Sequence, residues 1–251
     1  MNVVLSLMII ASFLGAVALH EWSHALVASW LGDSTPRTED RQTLRLPSHV
    51  DPVGLILCIV LAFRVLGAGP MGLGWGKPVK LDAWKMRVGP NAGVLLATLA
   101  GPVFSFLLGL LVALIVHFLG PILLQNIAAS FLLQLLIVFA SVNICLALFN
   151  LVPLYPLDGY QILYTLLPSK QAVQFSRWAV PYGPFIILIY FFLLPFLASL
   201  SGLDDFPLFL LGKYILQTSL SLIALVYSAG SSNPGSHIFT VYFCSWLQGC
   251  R

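Results

Sequence analysis

Long apolar runs alternate with short polar loops along the chain, and the length of each run predicts how it sits in a membrane. A helix needs about 20 mostly apolar residues to cross a bilayer. Five runs reach that length, namely 3–30, 91–119, 128–150, 181–202 and 206–228. We therefore predict an all-α, polytopic membrane protein with five to six transmembrane helices.

A sixth apolar run, residues 53–66, is too short for an ordinary spanning helix. The loops on both sides of it are basic, and the positive-inside rule assigns basic loops to the cytoplasmic side. A re-entrant element keeps both loops inside, whereas a full span would invert every later helix. The basic residues of the two loops are Arg37, Arg41 and Arg45 before the run, and Lys77, Lys80, Lys85 and Arg87 after it.

The loop from Gly32 to Pro52 contains a short alternation of polar and apolar residues around Thr43 to Leu46. Alternation with a period of two is typical of a strand that lies on a surface. We therefore expect a short β-hairpin at the membrane surface, so that a re-entrant or β-hairpin element follows the first helix.

Composition supports membrane insertion and excludes several classes of protein. Hydrophobic residues make up 59% of the chain and charged residues only 8%, against about 25% charged in soluble domains. A cytosolic enzyme, a disordered protein and a nucleic-acid binder are therefore excluded, and the lipid bilayer of the cell membrane is the expected surrounding. We interpret residues 1–228 as a single domain with its core at 15–165, and 229–251 as a C-terminal tail of unknown role.

The first apolar run contains His20, Glu21 and His24 in the spacing HExxH. Residues four apart lie on one face of a helix, so both imidazoles can reach one metal ion and Glu21 can act as general base. Ionisable side chains inside a membrane are costly and mark functional sites. A metal-free hydrogen-bonded cluster between helices is the alternative, and the spacing favours the metal.

Asp158 is the candidate for a third ligand, because catalytic zinc usually has three protein ligands and one open position. It follows the helix predicted at 128–150, beyond Pro153 and Pro156, which we expect to leave an extended segment. The acidic residue and the two histidines lie near the inward ends of their helices and so at one depth. Taken alone, an aspartate before Gly159 is typical of a turn. Together with HExxH, Asp158 instead predicts a site for one zinc ion per chain. We expect this site to lie near the cytoplasmic side.

Other polar and aromatic residues near these motifs allow more than one interpretation. His49 and Asp51 could line a water entrance or contact the metal site, or they could form a surface pair. Trp75 and Trp84 are expected at the membrane interface, where tryptophan is enriched.

The motifs, taken in order, resemble those of the site-2 protease family of intramembrane zinc metalloproteases (peptidase family M50), in its compact bacterial branch. The resemblance covers about residues 15–165. Its motifs are HExxH at 20–24, His-x-Asp-Pro-x-Gly at 49–54, Gly-Trp-Gly-Lys-Pro-Val at 74–79, Leu-Ala-Gly-Pro at 99–102 and Asn-x-x-Pro-x-x-x-Leu-Asp-Gly at 150–159.

The resemblance implies a set of roles for individual residues. It implies that His20, His24 and Asp158 hold zinc, that Glu21 is the catalytic base, and that Asn150 helps to position the substrate or the developing oxyanion. The implied reaction is hydrolysis of peptide bonds within or near transmembrane segments of membrane proteins.

One position departs from the family pattern. Ser105 stands where the Gly-Pro helix of the family usually carries an asparagine, and a serine cannot copy the amide. The alternative function is therefore a non-proteolytic membrane protein that binds transmembrane helices or metal. The sequence indicates neither a particular substrate nor an oligomeric state.

Overall fold

The computed structural model describes residues 3–63, 72–123, 127–201 and 211–228. These residues are helical apart from their connections, with one isolated antiparallel backbone pair between Val50 and Gly76. The α-helices of the described ranges are α1 (Val3–Trp30), α2 (Thr35–Thr38), α3 (Leu46–His49), α4 (Pro52–Ala62), α5 (Pro90–Leu123), α6 (Ile127–Asn150), α7 (Asp158–Leu166), α8 (Ser169–Leu188), α9 (Leu194–Ser201) and α10 (Leu211–Ser228). A π-helical turn, Ile189–Leu193, joins α8 to α9.

Four helices of the described chain are long and apolar enough to cross a membrane, which confirms the prediction of a helical membrane protein. They are Val3–Trp30, Pro90–Gly120, Ala129–Asn150 and Ser169–Leu197. The last begins well before the predicted residue 181, so Lys170 and Arg177 lie within α8 and not in a loop. Lysine, arginine and glutamine are good helix formers, and their polarity concealed the start of this helix.

Two further apolar helices are shorter than a typical span. The run predicted at 206–228 contains the apolar helix Leu211–Val226, and residues 202–210 lie outside the described residues. The run predicted at 53–66 contains α4, whose 11 residues extend about 16 Å and therefore less than a bilayer core, and residues 64–66 lie outside the described residues. The oxygen Oδ1 of Asp51 accepts hydrogen bonds from the backbone N–H groups of Val53 and Gly54 and so caps this helix.

The β-hairpin expected between Gly32 and Pro52 is wrong. The loop instead contains α2 and α3, and each of these short helices has a proline in its first turn. Proline suits the first turn of a helix but has no N–H group to donate to a strand ladder. The C-terminal tail from 229 to 251 lies outside the described residues, and its role stays a prediction.

The helices pack so that α1 lies against both α5 and α6, and α10 lies against the same two helices. Phe13 of α1 is fully buried and belongs to the same apolar cluster as Val142 of α6. Gly109 lets α5 approach α6 closely, because a Cβ atom there would lie 2.6 Å from the Cγ1 atom of Ile144. This close packing brings one end of α1 beside α5 and beside the end of α6.

The chain turns sharply between α6 and α7. The extended segment expected there is wrong, because the backbone N–H groups of Val152, Leu154 and Leu157 donate to carbonyls two or three residues earlier. The prolines end α6 as predicted, but the following residues fold into successive turns. Asp158 is consequently the first residue of α7.

Candidate metal centre

Three side chains converge where α1, α5 and α7 meet. The Nε2 atom of His20 lies 2.9 Å from the Oδ2 atom of Asp158, and the Nε2 atom of His24 lies 3.2 Å from the same oxygen. The ligand atoms all lie within 4.8 Å of one another. Successive turns of α1 supply both imidazoles and the start of α7 supplies the carboxylate, so the structure brings together three of the residues selected from the sequence.

Each imidazole has a hydrogen-bond partner on the side away from Asp158, and for His24 this partner fixes the tautomer. The Nδ1 atom of His24 lies 2.8 Å from the carbonyl oxygen of Ala97, and a carbonyl can only accept, so Nδ1 carries the proton. The Nε2 atom of His24 is buried and makes no hydrogen bond within the described residues, although the Oδ2 atom of Asp158 lies 3.2 Å away. The Nδ1 atom of His20 lies 2.9 Å from the Oγ atom of Ser105, a hydroxyl that can either accept from this nitrogen or donate to it.

This arrangement fits a bound zinc ion. Two imidazole nitrogens and one carboxylate oxygen are a donor set typical of catalytic zinc, and outer hydrogen bonds from Nδ1 typically orient such histidines. Space for the rings comes from Gly101 of α5. A Cβ atom at Gly101 would clash with the ring of His24 and would lie 2.7 Å from the Nε2 atom of His20.

Glu21 lies next to the cluster and lines the cavity beside His24. Its side chain is buried against the backbone of Gly76, where an added Cβ atom would lie 2.7 Å from the Cγ atom of Glu21. A larger residue at position 76 would therefore displace the carboxylate. The segment around Gly76 thus forms a wall directly beside the candidate catalytic base.

The cavity measures about 280 Å³ and is the space into which the cluster opens. The side chain of Asp158 is 18% exposed, in contrast to the two deeply buried histidines. Asn150 also lines the cavity, and its Nδ2 atom donates to the carbonyl of Leu146 at 2.9 Å, which leaves its second N–H uncommitted by that bond. Among the other lining residues are Trp75, Pro78, Val79, Leu81, Val94, Thr98, Tyr155, Tyr160 and Gln161.

An extended stretch that includes Trp75 and Gly76 forms one wall of the cavity, and the loop before α4 holds it in position. The backbone N–H of Lys77 donates to the carbonyl of His49 at 2.7 Å. The buried guanidinium of Arg41 donates to the carbonyls of Ser48, Lys77 and Pro78. Arg41 is thus a buried cross-link between this loop and the cavity wall.

Two sequence interpretations of this region need correction. His49 is buried and bonded to the carbonyl of Thr43, and Asp51 caps α4, so both are structural and neither lies in the cluster. Trp75 is buried against the cavity and does not lie on the protein surface as an interfacial tryptophan would, because its segment folds inward over Glu21. Trp84 is 87% exposed, as an interfacial residue would be.

The face of α5 that contacts the two histidines was not identified from the sequence. Ala97, Gly101 and Ser105 are spaced by four and so lie on one face of the helix, which faces the two histidines. A small residue at every fourth position is the pattern of close helix–helix contact in membranes. That signal was present in the sequence and could have identified the face.

A bundle of long apolar helices around a buried two-histidine, one-aspartate cluster defines the class: a helical membrane protein with a candidate metal centre. The sequence model of peptidase family M50 matches residues 118–191, which include Asn150 and Asp158. The chain is also similar to a protein of Bacillus subtilis (strain 168), "Putative zinc metalloprotease YwhC". The two are 33% identical over 196 residues, which cover 76% of this chain and 83% of that protein.

The chain therefore belongs to peptidase family M50, the site-2 protease family, which confirms the resemblance drawn from its motifs. Membership of this family and the name of the relative both imply zinc. No solved structure is significantly similar to the chain.

Proposed function

We propose that this protein is an intramembrane zinc metalloprotease that hydrolyses peptide bonds within or near transmembrane segments of other membrane proteins. The observation that carries the proposal is the convergence of His20, His24 and Asp158 beside Glu21 on one cavity. Family membership supports metalloprotease chemistry, and the long apolar helices support a site within a membrane.

In this proposal His20, His24 and Asp158 hold one zinc ion per chain, and the cavity leaves room for water and a peptide. Bound zinc would supply Lewis acidity toward water and toward the scissile carbonyl. The carboxylate of Glu21 accepts the proton of the attacking water and then donates it to the leaving amine nitrogen. The free N–H of Asn150 donates to the substrate carbonyl oxygen as negative charge develops there.

The proposed setting is the cell membrane, with several spans and the site near the cytoplasmic side. Lys77, Lys80 and Lys85 follow Trp75 and Gly76 of the cavity wall along the chain. Basic segments favour the cytoplasmic side of a membrane. Water would reach Glu21 from that side. The substrate is a transmembrane protein whose helix unwinds locally, because helical peptide bonds are shielded and already hydrogen-bonded.

Zinc content per chain tests the metal part of the proposal in purified, detergent-solubilised protein. We expect about one zinc ion in the wild type, as in a site with three protein ligands, and a sharply reduced content in Asp158→Ala. Glu39→Gln is the matched control, because Glu39 is a carboxylate on a surface ion pair with Lys80. No zinc in the wild type after mild purification and zinc resupply would overturn the proposal.

Cleavage of a membrane-embedded peptide tests the proteolytic part. The wild type should cleave, and Glu21→Gln should be inactive while it still holds zinc, since Glu21 moves the proton but is not a ligand. A wild type that binds zinc but cleaves no better than Glu21→Gln would favour the alternative of a non-proteolytic protein that binds transmembrane helices or metal.

A further inference from the structure

Thr98 has an unpaired hydroxyl group in the wall of the cavity. It follows Ala97 on α5, and the carbonyl of Ala97 accepts the Nδ1–H of His24. The side chain of Thr98 lines the same cavity as Glu21 and His24, and the residue is only 4% exposed. Its Oγ1 atom is buried and has no hydrogen-bond partner among the described residues.

A hydroxyl in a helix usually bonds to a carbonyl one turn earlier, so the unpaired state of Thr98 needs a reason. Two helical hydroxyls among the described residues illustrate such bonds, and the hydroxyl of Ser12, which is also buried and unpaired, does not line the cavity. The Oγ1 atom of Thr165 donates to the carbonyl of Gln161 at 2.7 Å, and the Oγ atom of Ser23 donates to the carbonyl of His20 at 2.7 Å. The hydroxyl of Thr98 makes no such bond.

A substrate peptide supplies the kind of partner that this hydroxyl lacks. An unwound transmembrane segment exposes backbone N–H and C=O groups, and these groups must find partners where water is scarce. Much of the cavity lining is apolar or aromatic, including Trp75, Val79, Leu81 and Val94. A buried, uncommitted hydroxyl in such a lining is well suited to bind one backbone group of the peptide.

We propose that the hydroxyl of Thr98 binds the backbone of the substrate peptide beside the scissile bond, as a positioning group of the substrate site. The inference rests on the proposed function. It concerns binding of the peptide and not the metal, because Thr98 has no atom in the ligand cluster. Removal of the hydroxyl should therefore weaken peptide binding and leave zinc content unchanged.

The test uses the full chain in detergent and a synthetic probe: a Lys-flanked peptide of about 20 Leu and Ala residues, with a central Gly-Gly pair and a fluorophore. Binding is measured by fluorescence anisotropy in the Glu21→Gln background, and cleavage in the Glu21 background. Thr98→Val keeps the shape but removes the hydroxyl, and Thr98→Ser keeps the hydroxyl. Thr165→Val is the matched control, because it removes a hydroxyl that is already bonded within α7.

We expect Thr98→Val to raise both Kd and KM by about 2- to 10-fold, the range that one uncharged hydrogen bond gives. We expect Thr98→Ser and Thr165→Val to behave as wild type, and zinc content to stay the same in all of them. Unchanged Kd and KM in Thr98→Val, or a change confined to kcat, would overturn this inference alone. A zinc-loaded wild type that cleaves the probe no better than Glu21→Gln would overturn the proposed function, and the inference with it.

Discussion

The Nδ1 atom of His20 lies 2.9 Å from the Oγ atom of Ser105, a residue 85 positions further along the chain. Both residues are buried. The Nε2 atom of His20 faces the Oδ2 atom of Asp158. With zinc held at Nε2, as in the proposed function, Nδ1 would carry the proton and the hydroxyl oxygen of Ser105 would accept it. In the comparison with the family motifs, Ser105 stood out as the loss of an asparagine, because a serine hydroxyl cannot copy an amide. The structure shows that Ser105 faces the Nδ1 atom of His20, and a hydroxyl is a suitable hydrogen-bond partner for that nitrogen.

The contact predicts that Ser105→Ala weakens zinc binding, because His20 loses the partner that fixes its ring and its tautomer. Loss of such an outer hydrogen bond typically lowers metal affinity by about 10- to 100-fold. A titration with a competing chelator measures the change. Ser141→Ala is the control, since Ser141 contacts Ser219 between α6 and α10 and lies outside the cluster. Equal zinc affinity in Ser105→Ala and wild type would contradict the role of the hydroxyl.

Gly101 gives a second prediction about the metal centre. Gly101→Ala places a methyl group against the rings of His20 and His24, so we expect zinc content to fall sharply. Helix stability should not suffer, because alanine is favoured over glycine in a helix by about 1 kcal/mol. Lower zinc content with unchanged helix content would therefore indicate damage to the metal site and not to the fold.

Gly15→Ala is the matched control on α1, where an added Cβ atom would lie 3.4 Å from the Cε2 atom of Phe139, an ordinary contact distance. Zinc content and the circular-dichroism spectrum of both variants check the prediction. A Gly101→Ala variant that keeps its full zinc content would show that the rings can move away at little cost.

The helices and the cluster of candidate metal ligands were predictable because both depend largely on local geometry. Apolar runs define spanning helices by length alone, and a spacing of four places His20 and His24 on one face of α1 whatever surrounds them. Asp158 needed one further step, the agreement in depth between the ends of two predicted helices. The structure brings this side chain to both imidazoles.

The contacts of the supporting residues were not predictable in the same way. The spacing of small residues marks one face of α5, but the residues that this face meets depend on how the helices are rotated against one another. The contact between His20 and Ser105 exists only because one face of α5 meets α1. Arg41 looked identical to Arg37 and Arg45 in the sequence, as one basic residue of a loop. Only the folded loop distinguishes it, by burying its guanidinium among backbone carbonyls.

Arg41 gives a prediction about the cavity wall. Its planar guanidinium reaches the carbonyls of Lys77 and Pro78 at 3.1 and 3.3 Å, and a lysine ammonium cannot reproduce this fork of donors. In Arg41→Lys we expect the wall beside Glu21 to loosen and cleavage to fall by about 10- to 100-fold, as small displacements near reacting groups can do. Zinc content should stay unchanged, because the wall contributes no ligand to the cluster.

Hydrogen exchange of the amides at 76–81, followed by mass spectrometry, checks the cause of the lost activity. The amide of Lys77 is bonded to the carbonyl of His49 in the structure, and it should exchange faster in Arg41→Lys. Arg37→Lys is the control, since Arg37 is exposed. Reduced cleavage with unchanged exchange would contradict the assigned role of Arg41.

His49 gives a prediction about pH. Burial lowers the pKa of its imidazole below the usual 6.5, and the nearby Arg41 cation lowers this pKa further, although the bond to the Thr43 carbonyl opposes both effects. The unfolded chain therefore takes up a proton near pH 6.5 while the folded chain does not. The stabilisation from a neutral His49 is complete above that pH, and it is lost as the pH falls toward the lower pKa of the folded state.

We expect the Tm of the wild type to fall, relative to that of His49→Gln, as the pH drops from about 7.5 to about 5.5. Glutamine does not titrate, so the difference between the two proteins isolates the proton uptake of His49. A Tm difference between wild type and His49→Gln that stays constant over this range would show that the buried imidazole does not resist protonation in the folded loop.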